Sequence, residues 1–299
     1  MSGKHGIVCM GLLMLLSSCH DDKQVTASGL QRKDFQTEVN GQYTDLFTLS
    51  NKKGMEVCIT NYGARVVSIL VPDKNGKRED VVCGFSTIGE YMEQRQNFGS
   101  TVGRYIGRIL NARFTLDGVE HKLVPNNGKS GHISHGGNPG FADRIWKVEQ
   151  ADTYTVRLSY LSPDGENGFP GNLKVTLVYS LGEDENALDL TYEATTDAPT
   201  VLNLSHHSFF NISGDFTKSV EDQQLWVDAD RFTPYDDKPF RSSTKNSAHV
   251  WHSRFCTGSN IRTRRMKLRT ISPGIIVSGY NSPKRKGIRH SIRSCLHYQ

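Results

Sequence analysis

Lys174-Val175-Thr176-Leu177-Val178-Tyr179-Ser180-Leu181 and Ala187-Leu188-Asp189-Leu190-Thr191-Tyr192-Glu193-Ala194-Thr195 stand on either side of Gly182-Glu183-Asp184-Glu185-Asn186. Each run alternates, with Val175, Leu177, Tyr179 and Leu181 in step in the first and Leu188, Leu190, Tyr192 and Ala194 in the second. A period of two places one set of side chains on one face of a strand. The Gly- and acid-rich segment between the runs has the composition of a turn. Outward from this pair the pattern repeats. Thr153–Leu161 alternates through Val156, Leu158 and Tyr160. Asp117-Gly118 joins Ala112–Leu116 to Val119–Val124, and Asp-Gly is a strong short hairpin turn. Gly54–Tyr62 and Ala64–Val71 are broken at Asn61-Tyr62-Gly63, and Asp73-Lys74-Asn75-Gly76 follows as a turn. The one helix-like run is Thr87–Gln94. Short strands at this spacing imply an all-β fold, a sandwich or barrel, with no internal repeat.

Charge divides the chain. All 31 Asp and Glu lie in residues 1–237, with 23 of the 36 Lys and Arg before Pro239 and 13 after it, so the first part is net −8 and the tail +13. Folded surfaces normally mix both signs. Residues 239–299 are therefore expected not to belong to the β domain, which is assigned to 35–238, although roughly 200 residues suffice for one core.

The N-terminus reads as an address. Lys4 and His5 precede the apolar run Ile7–Leu16, which is too short for a bilayer core of ~30 Å and suits a signal-peptide core. Leu16-Ser17-Ser18-Cys19 resembles a bacterial lipobox, which makes Cys19 the expected lipidation site and residues 1–19 the leader. The polar stretch 20–34 reads as a tether. The expectation is an exported, membrane-anchored lipoprotein on the periplasmic or cell-surface side. The six Cys show no disulfide framework and no C-x-x-C pair.

Three clusters bear chemistry. Gly103-Arg104-Tyr105-Ile106-Gly107-Arg108-Ile109 would put Arg104 and Arg108 on one face if it were a strand. Ser130-Gly131-His132-Ile133-Ser134-His135-Gly136-Gly137 sets His beside glycines that permit close backbone approach. Leu202-Asn203-Leu204-Ser205-His206-His207-Ser208-Phe209-Phe210-Asn211 sets two His among aromatics. Imidazole moves protons near neutral pH, and aromatic rings suit the apolar faces of sugars. A metal site built from His132, His135, His206 and His207 is disfavoured, because adjacent strand residues face opposite ways and no acid stands at ligand spacing. No G-x-S-x-G elbow supports a serine hydrolase.

From about Asp34 to Asp237 the chain resembles the aldose 1-epimerase, or galactose mutarotase, family. The matching segments, in order, are Asn61–Arg65, Gly103–Tyr105 with Arg108-Ile109, His135-Gly136-Gly137, Phe141 with Trp146, Ser162–Gly171, Asn203-Leu204 with His207–Asn211, and Phe232-Thr233-Pro234. The resemblance implies a large antiparallel β-sandwich, no cofactor, an aldohexose such as galactose or glucose as partner, and interconversion of its α and β anomers. A base would take the proton of the anomeric hydroxyl while an acid protonates the ring oxygen, and the opened chain would turn and close on its other face. The family's acid falls on His207. Its sugar-holding His and Arg fall on His135 and Arg108, and Ser208 and Phe209 would border the sugar.

Two departures follow. Gly107 stands where the family has Asn. The family's base Glu and its G-[YF]-D-H motif have no counterpart, since no acid follows Asp237. A change of reading frame near residues 238–241 accounts for both losses at one point. A genuine basic extension with Trp251, Phe255 and Tyr280 that grips an anionic surface is the other reading, and no nucleic-acid partner is expected. A sandwich without its last strands would expose sheet edges, fold poorly and lack activity. The alternatives are a non-catalytic sugar-binding lipoprotein and a glycoside hydrolase using Asp164 and Glu166, which needs two suitably spaced carboxylates.

Overall fold

A computed structural model describes residues 24–221 and 223, and beyond them the backbone of short strands at 224–226, 231–232, 249–250, 255–257 and 288–295. The leader, with Cys19, lies outside the described residues, as does most of the acid-free tail.

Two antiparallel sheets form the body. The first runs in chain order through β1 (Leu46–Ser50), β2 (Glu56–Thr60), β3 (Arg65–Pro72) and β4 (Arg78–Asp80). The second runs through β5 (Lys147–Ala151), β6 (Thr155–Ser162), β7 (Leu173–Leu181), β8 (Ala187–Thr196) and β9 (Ile288–Cys295). The β7–β8 hairpin is the pair on which the reading of the sequence turned, in register with Leu177 opposite Tyr192 and Tyr179 opposite Leu190. β9 lies antiparallel along β8, with Leu190 opposite Ile292, so this edge is paired rather than left open.

The alternating residues meet across one core. Leu49, Val57, Ile59, Val66, Ile69 and Val71 from the first sheet pack with Val156, Leu158, Val175, Leu177, Tyr179 and Leu190 from the second. This is the face-to-face packing of a sandwich. Each such side chain contributes about 1.5–3 kcal/mol by leaving water. Trp146 is fully buried between them, with its indole Nε1 donating to the Phe141 carbonyl at 3.2 Å.

The outer face of the first sheet is also covered, which is why β2 is buried at every position. Phe35, Leu46, Cys58, Val67, Ile88 and Tyr91 form this second layer. The helix α1 (Ile88–Gln94) supplies two of them and begins with a capping box: Glu90 N–H donates to Thr87 Oγ1, and Thr87 N–H to Glu90 Oε2. Residues 24–34, read from sequence as tether, pack here instead. The N–H groups of Ala27 and Ser28 donate to Glu56 Oε1 at 2.7 and 3.3 Å. Arg32 grips Asp45 with two hydrogen bonds of 2.9 and 2.7 Å. Glu56 is 3% exposed, and without this segment its carboxylate would be buried without those two donors. Polar composition hid the segment because its backbone N–H groups, rather than apolar side chains, serve the buried charge.

Candidate functional site

The site grows from the segment between the sheets. Ser205-His206 pairs with Thr101-Val102, and the flanking bonds run from His207 N–H to Ser100 O, Gly99 N–H to His207 O, and Cys83 N–H to Phe209 O. Extended backbone here sends alternate side chains opposite ways. His206 and Ser208 turn inward: the Ser208 hydroxyl lies 3.0 Å from His206 Nδ1, and the His206 ring is 6.0 Å from that of Tyr179. His207 and Phe209 take the other side, ring centroids 5.0 Å apart, with Phe209 edge-on to Phe98.

His135 arrives from a second loop. Its ring stands edge-to-face with His207 at 5.1 Å. Its backbone φ is +51°, and it exchanges two bonds with Gly107: His135 N–H to Gly107 O at 2.8 Å and Gly107 N–H to His135 Nδ1 at 3.3 Å. Gly136 makes this bend possible. At its φ of +86° a Cβ would lie 1.8 Å from the Gly103 carbonyl oxygen. The glycines thus admit another stretch of this chain. Asn167 locks the loop by donating to Gly136 O and Pro139 O.

Arg108 is exposed and lies opposite Ser134 in a short ladder, while Asn126 brackets Ser134 with bonds to its N–H and carbonyl. Arg108 and His135 both line a cavity of about 280 Å³, together with Arg95, Asn97, Asn138 and Asp143 among others.

Arg104 does not share a face with Arg108. It is 1% exposed and donates to Ser162 Oγ and to the carbonyls of Ser162, Pro163 and Pro170. Ser208, assigned from sequence to the sugar, is 4% exposed and sits behind the strand with His206. The reason is the period of two, which cannot aim neighbours His207 and Ser208 the same way. The hydrolase pair is also occupied: Asp164 accepts from Gly171 N–H, and Glu166 takes Arg144 and Tyr160 OH. His132 accepts from Asn111 N–H, and among the described residues no three His, Cys, Asp or Glu gather as a metal would require.

Sequence reasoning missed Arg95, Asn97, Asn138 and Asp143 as cavity lining, since only the fold brings α1's end to the His135 loop. It also quoted Arg65 without a role. Arg65 is 1% exposed and donates to the carbonyls of Gln96, Phe98 and Ala142, which ties two walls of the cavity together. Its guanidinium lies over the rings of Tyr62 and Tyr91.

The electrostatics favour neutral imidazoles. Burial pulls His135 down to about 4, with the charges of His207 and Arg108 adding to it. Burial likewise pulls His206 to about 3. His207 is lowered mainly by burial, partly offset by its own backbone, and its Nδ1 meets no other partner. A histidine whose folded pKa is depressed binds fewer protons folded than unfolded, so stability is lost as pH falls below about 6.5. The melting temperature is therefore expected to fall steadily from pH 7 toward pH 4. His206→Asn, which can keep the Ser208 contact, should flatten the curve. Calorimetric melts across that range check this, and identical slopes in both proteins would refute it.

Comparisons with known proteins bear on the family and the fold. The family model of aldose 1-epimerase matches residues 45–261. The galactose mutarotase of Sus scrofa is 38% identical over 183 residues, 61% of this chain and 52% of that protein. The aldose 1-epimerase of Escherichia coli K12 is 35% identical over 198 residues, 66% of this chain and 56% of that protein. The chain thus spans about half the length of the curated relatives it matches. Among solved structures, an aldose epimerase homologue from C. elegans superposes with a TM-score of 0.69 at 27% identity, over 82% of this chain and 74% of the other. Galactose 1-epimerase from Lactobacillus acidophilus gives 0.62 at 29%, over 72% and 61%. The ordered motifs, the sandwich and the match over most of the described chain place this protein in the aldose 1-epimerase family.

Proposed function

We propose that the chain binds an aldohexose at His207, His135, Arg108 and Phe209, and that it carries the acid half of an anomer-interconverting site. The observation that supports this best is the edge-to-face pair of His135 and His207, 5.1 Å apart, next to a polar cavity lined by Arg108. The buried Nδ1 of His207 has no hydrogen-bond partner, a cost that a polar ligand could relieve. In this reading His207 gives its proton to the ring oxygen, His135 and Arg108 hold the sugar hydroxyls, and Phe209 lies along the sugar's apolar face.

A second reading, sugar binding without turnover, is favoured by the absence of any acid after Asp237. Both readings require a bound sugar. Titration of the full chain with galactose in a calorimeter should give saturable binding, weakened about five- to tenfold by His135→Gln, the cost of one lost polar contact. No saturable binding of any hexose would sink the proposal.

A further inference from the structure

The cavity beside His135 holds more positive charge than a neutral sugar requires. Arg95 and Arg108 both line it, and they arrive from separate segments. Arg95 closes α1 in a left-handed conformation, φ 49°, which bends the chain away from the helix. Its Nη1 reaches Asn138 Oδ1 at 3.5 Å, a contact at the limit of a hydrogen bond. Arg95 makes no ion pair among the described residues. Arg108 stands on the ladder with Ser134, and its charge reaches His135 strongly enough to oppose protonation there.

The rest of the lining fits the same chemistry. Asn126, Asn127 and Asn138 bring amide donors to the same space. Asp143 is the one carboxylate on the wall, and its Oδ2 already accepts from Gly140 N–H at 3.0 Å. Two guanidiniums around one cavity repel each other, and an anion held by both would remove that cost. Guanidinium also presents paired donors that match carboxylate and phosphate oxygens.

We propose that this site takes an aldose bearing a negative charge, its carboxylate or phosphate held by Arg95 and Arg108, in preference to a neutral hexose. The inference rests on the sugar-site reading above and narrows its substrate class. Uronic acids and phosphorylated hexoses share the required chemistry. Arg95 is then a specificity residue, since it meets the anionic group rather than the anomeric centre.

The experiment is calorimetric titration of the full chain with galactose, galacturonate, galactose 6-phosphate and inorganic phosphate, at low and high salt. One anionic sugar should bind about tenfold more tightly than galactose at low salt, the worth of one charge-assisted contact. The tighter of the two names the anion. The advantage should shrink at high salt. Arg95→Gln should lower the ratio of anionic to neutral affinity about tenfold. That side chain is exposed, so the fold should tolerate the change. Equal affinities for galactose and both anionic sugars would overturn the inference and leave the sugar site standing. Inorganic phosphate binding as tightly as either sugar would also overturn it, because the cavity would then be a plain anion patch. No sugar binding at all would remove both readings together.

Discussion

The 299-residue chain should interconvert the anomers of galactose about 10²–10⁴-fold more slowly than a family member that carries its base, the usual worth of one general base. Ring opening needs the anomeric hydroxyl to lose a proton as the ring oxygen gains one. Among the described residues that line the cavity the first half has only Asp143, which is tied to Gly140, and residues 238–299 hold no Asp or Glu. The second half suffers as well. A carboxylate near His207 would stabilise its imidazolium. Instead burial, the larger cause, disfavours a proton on both imidazoles, and the charges of Arg65 on His207 and of His207 and Arg108 on His135 add to it. On the proposed reading the shift favours the neutral form of His207, and a neutral imidazole is a poor proton donor. Polarimetry of fresh α-galactose, with the Escherichia coli relative assayed alongside, measures the deficit directly. Equal rates would show that another group serves as base. Translating the coding DNA in all frames beyond codon 238 bears on the cause: an alternative frame that restores an Asp-His motif and a late Glu would mark the tail as displaced sequence.

The sandwich was legible because its strands alternate so regularly. Val175, Leu177 and Tyr179 share the core face of their sheet with Leu188, Leu190 and Tyr192, and period-two patterning alone predicts this. The helix was legible through Thr87 and Glu90, a local capping signal. His135 and His207 were legible only through the order of motifs, because their meeting depends on a left-handed bend at His135 and on Gly136 fitting against Gly103. Residues 24–34 were misread because an extended polar segment looks alike whether it wraps a buried Glu56 or hangs in solvent. The cavity's other walls were invisible. Arg95 and Asn138 are 43 residues apart and meet only in the fold. Ser208 failed for a reason the sequence did contain: a strand that presents His207 hides its neighbour.

Arg104→Ala should destabilise the domain by about 3–5 kcal/mol, among the larger single-site losses, whereas Arg108→Ala should cost about 0.5 kcal/mol or less. These arginines stand four positions apart in a motif from which only Arg108 was assigned to the sugar. Arg104 is 1% exposed and spreads its guanidinium over Ser162, Pro163, Pro170 and Thr200 at 2.8–3.4 Å. Those acceptors belong to the end of β6, the turn after it and the segment after β8, so one side chain joins three stretches of chain. Alanine would leave the carbonyls of Ser162, Pro163 and Pro170 buried without this donor, and each such loss costs about 1–3 kcal/mol before any water enters. Lysine should not rescue, because a single ammonium cannot reproduce a planar fork. For a domain of this size the expected fall in melting temperature is roughly 6–20 °C. Arg108 has the opposite profile. It is exposed beside the cavity, so its loss should spare the melt and weaken sugar binding. Melting curves and galactose titrations of both variants separate the roles. An Arg104→Ala protein that melts within about 2 °C of the parent would mean that this network adds little to the fold, and the difference between the two arginines would have to lie elsewhere.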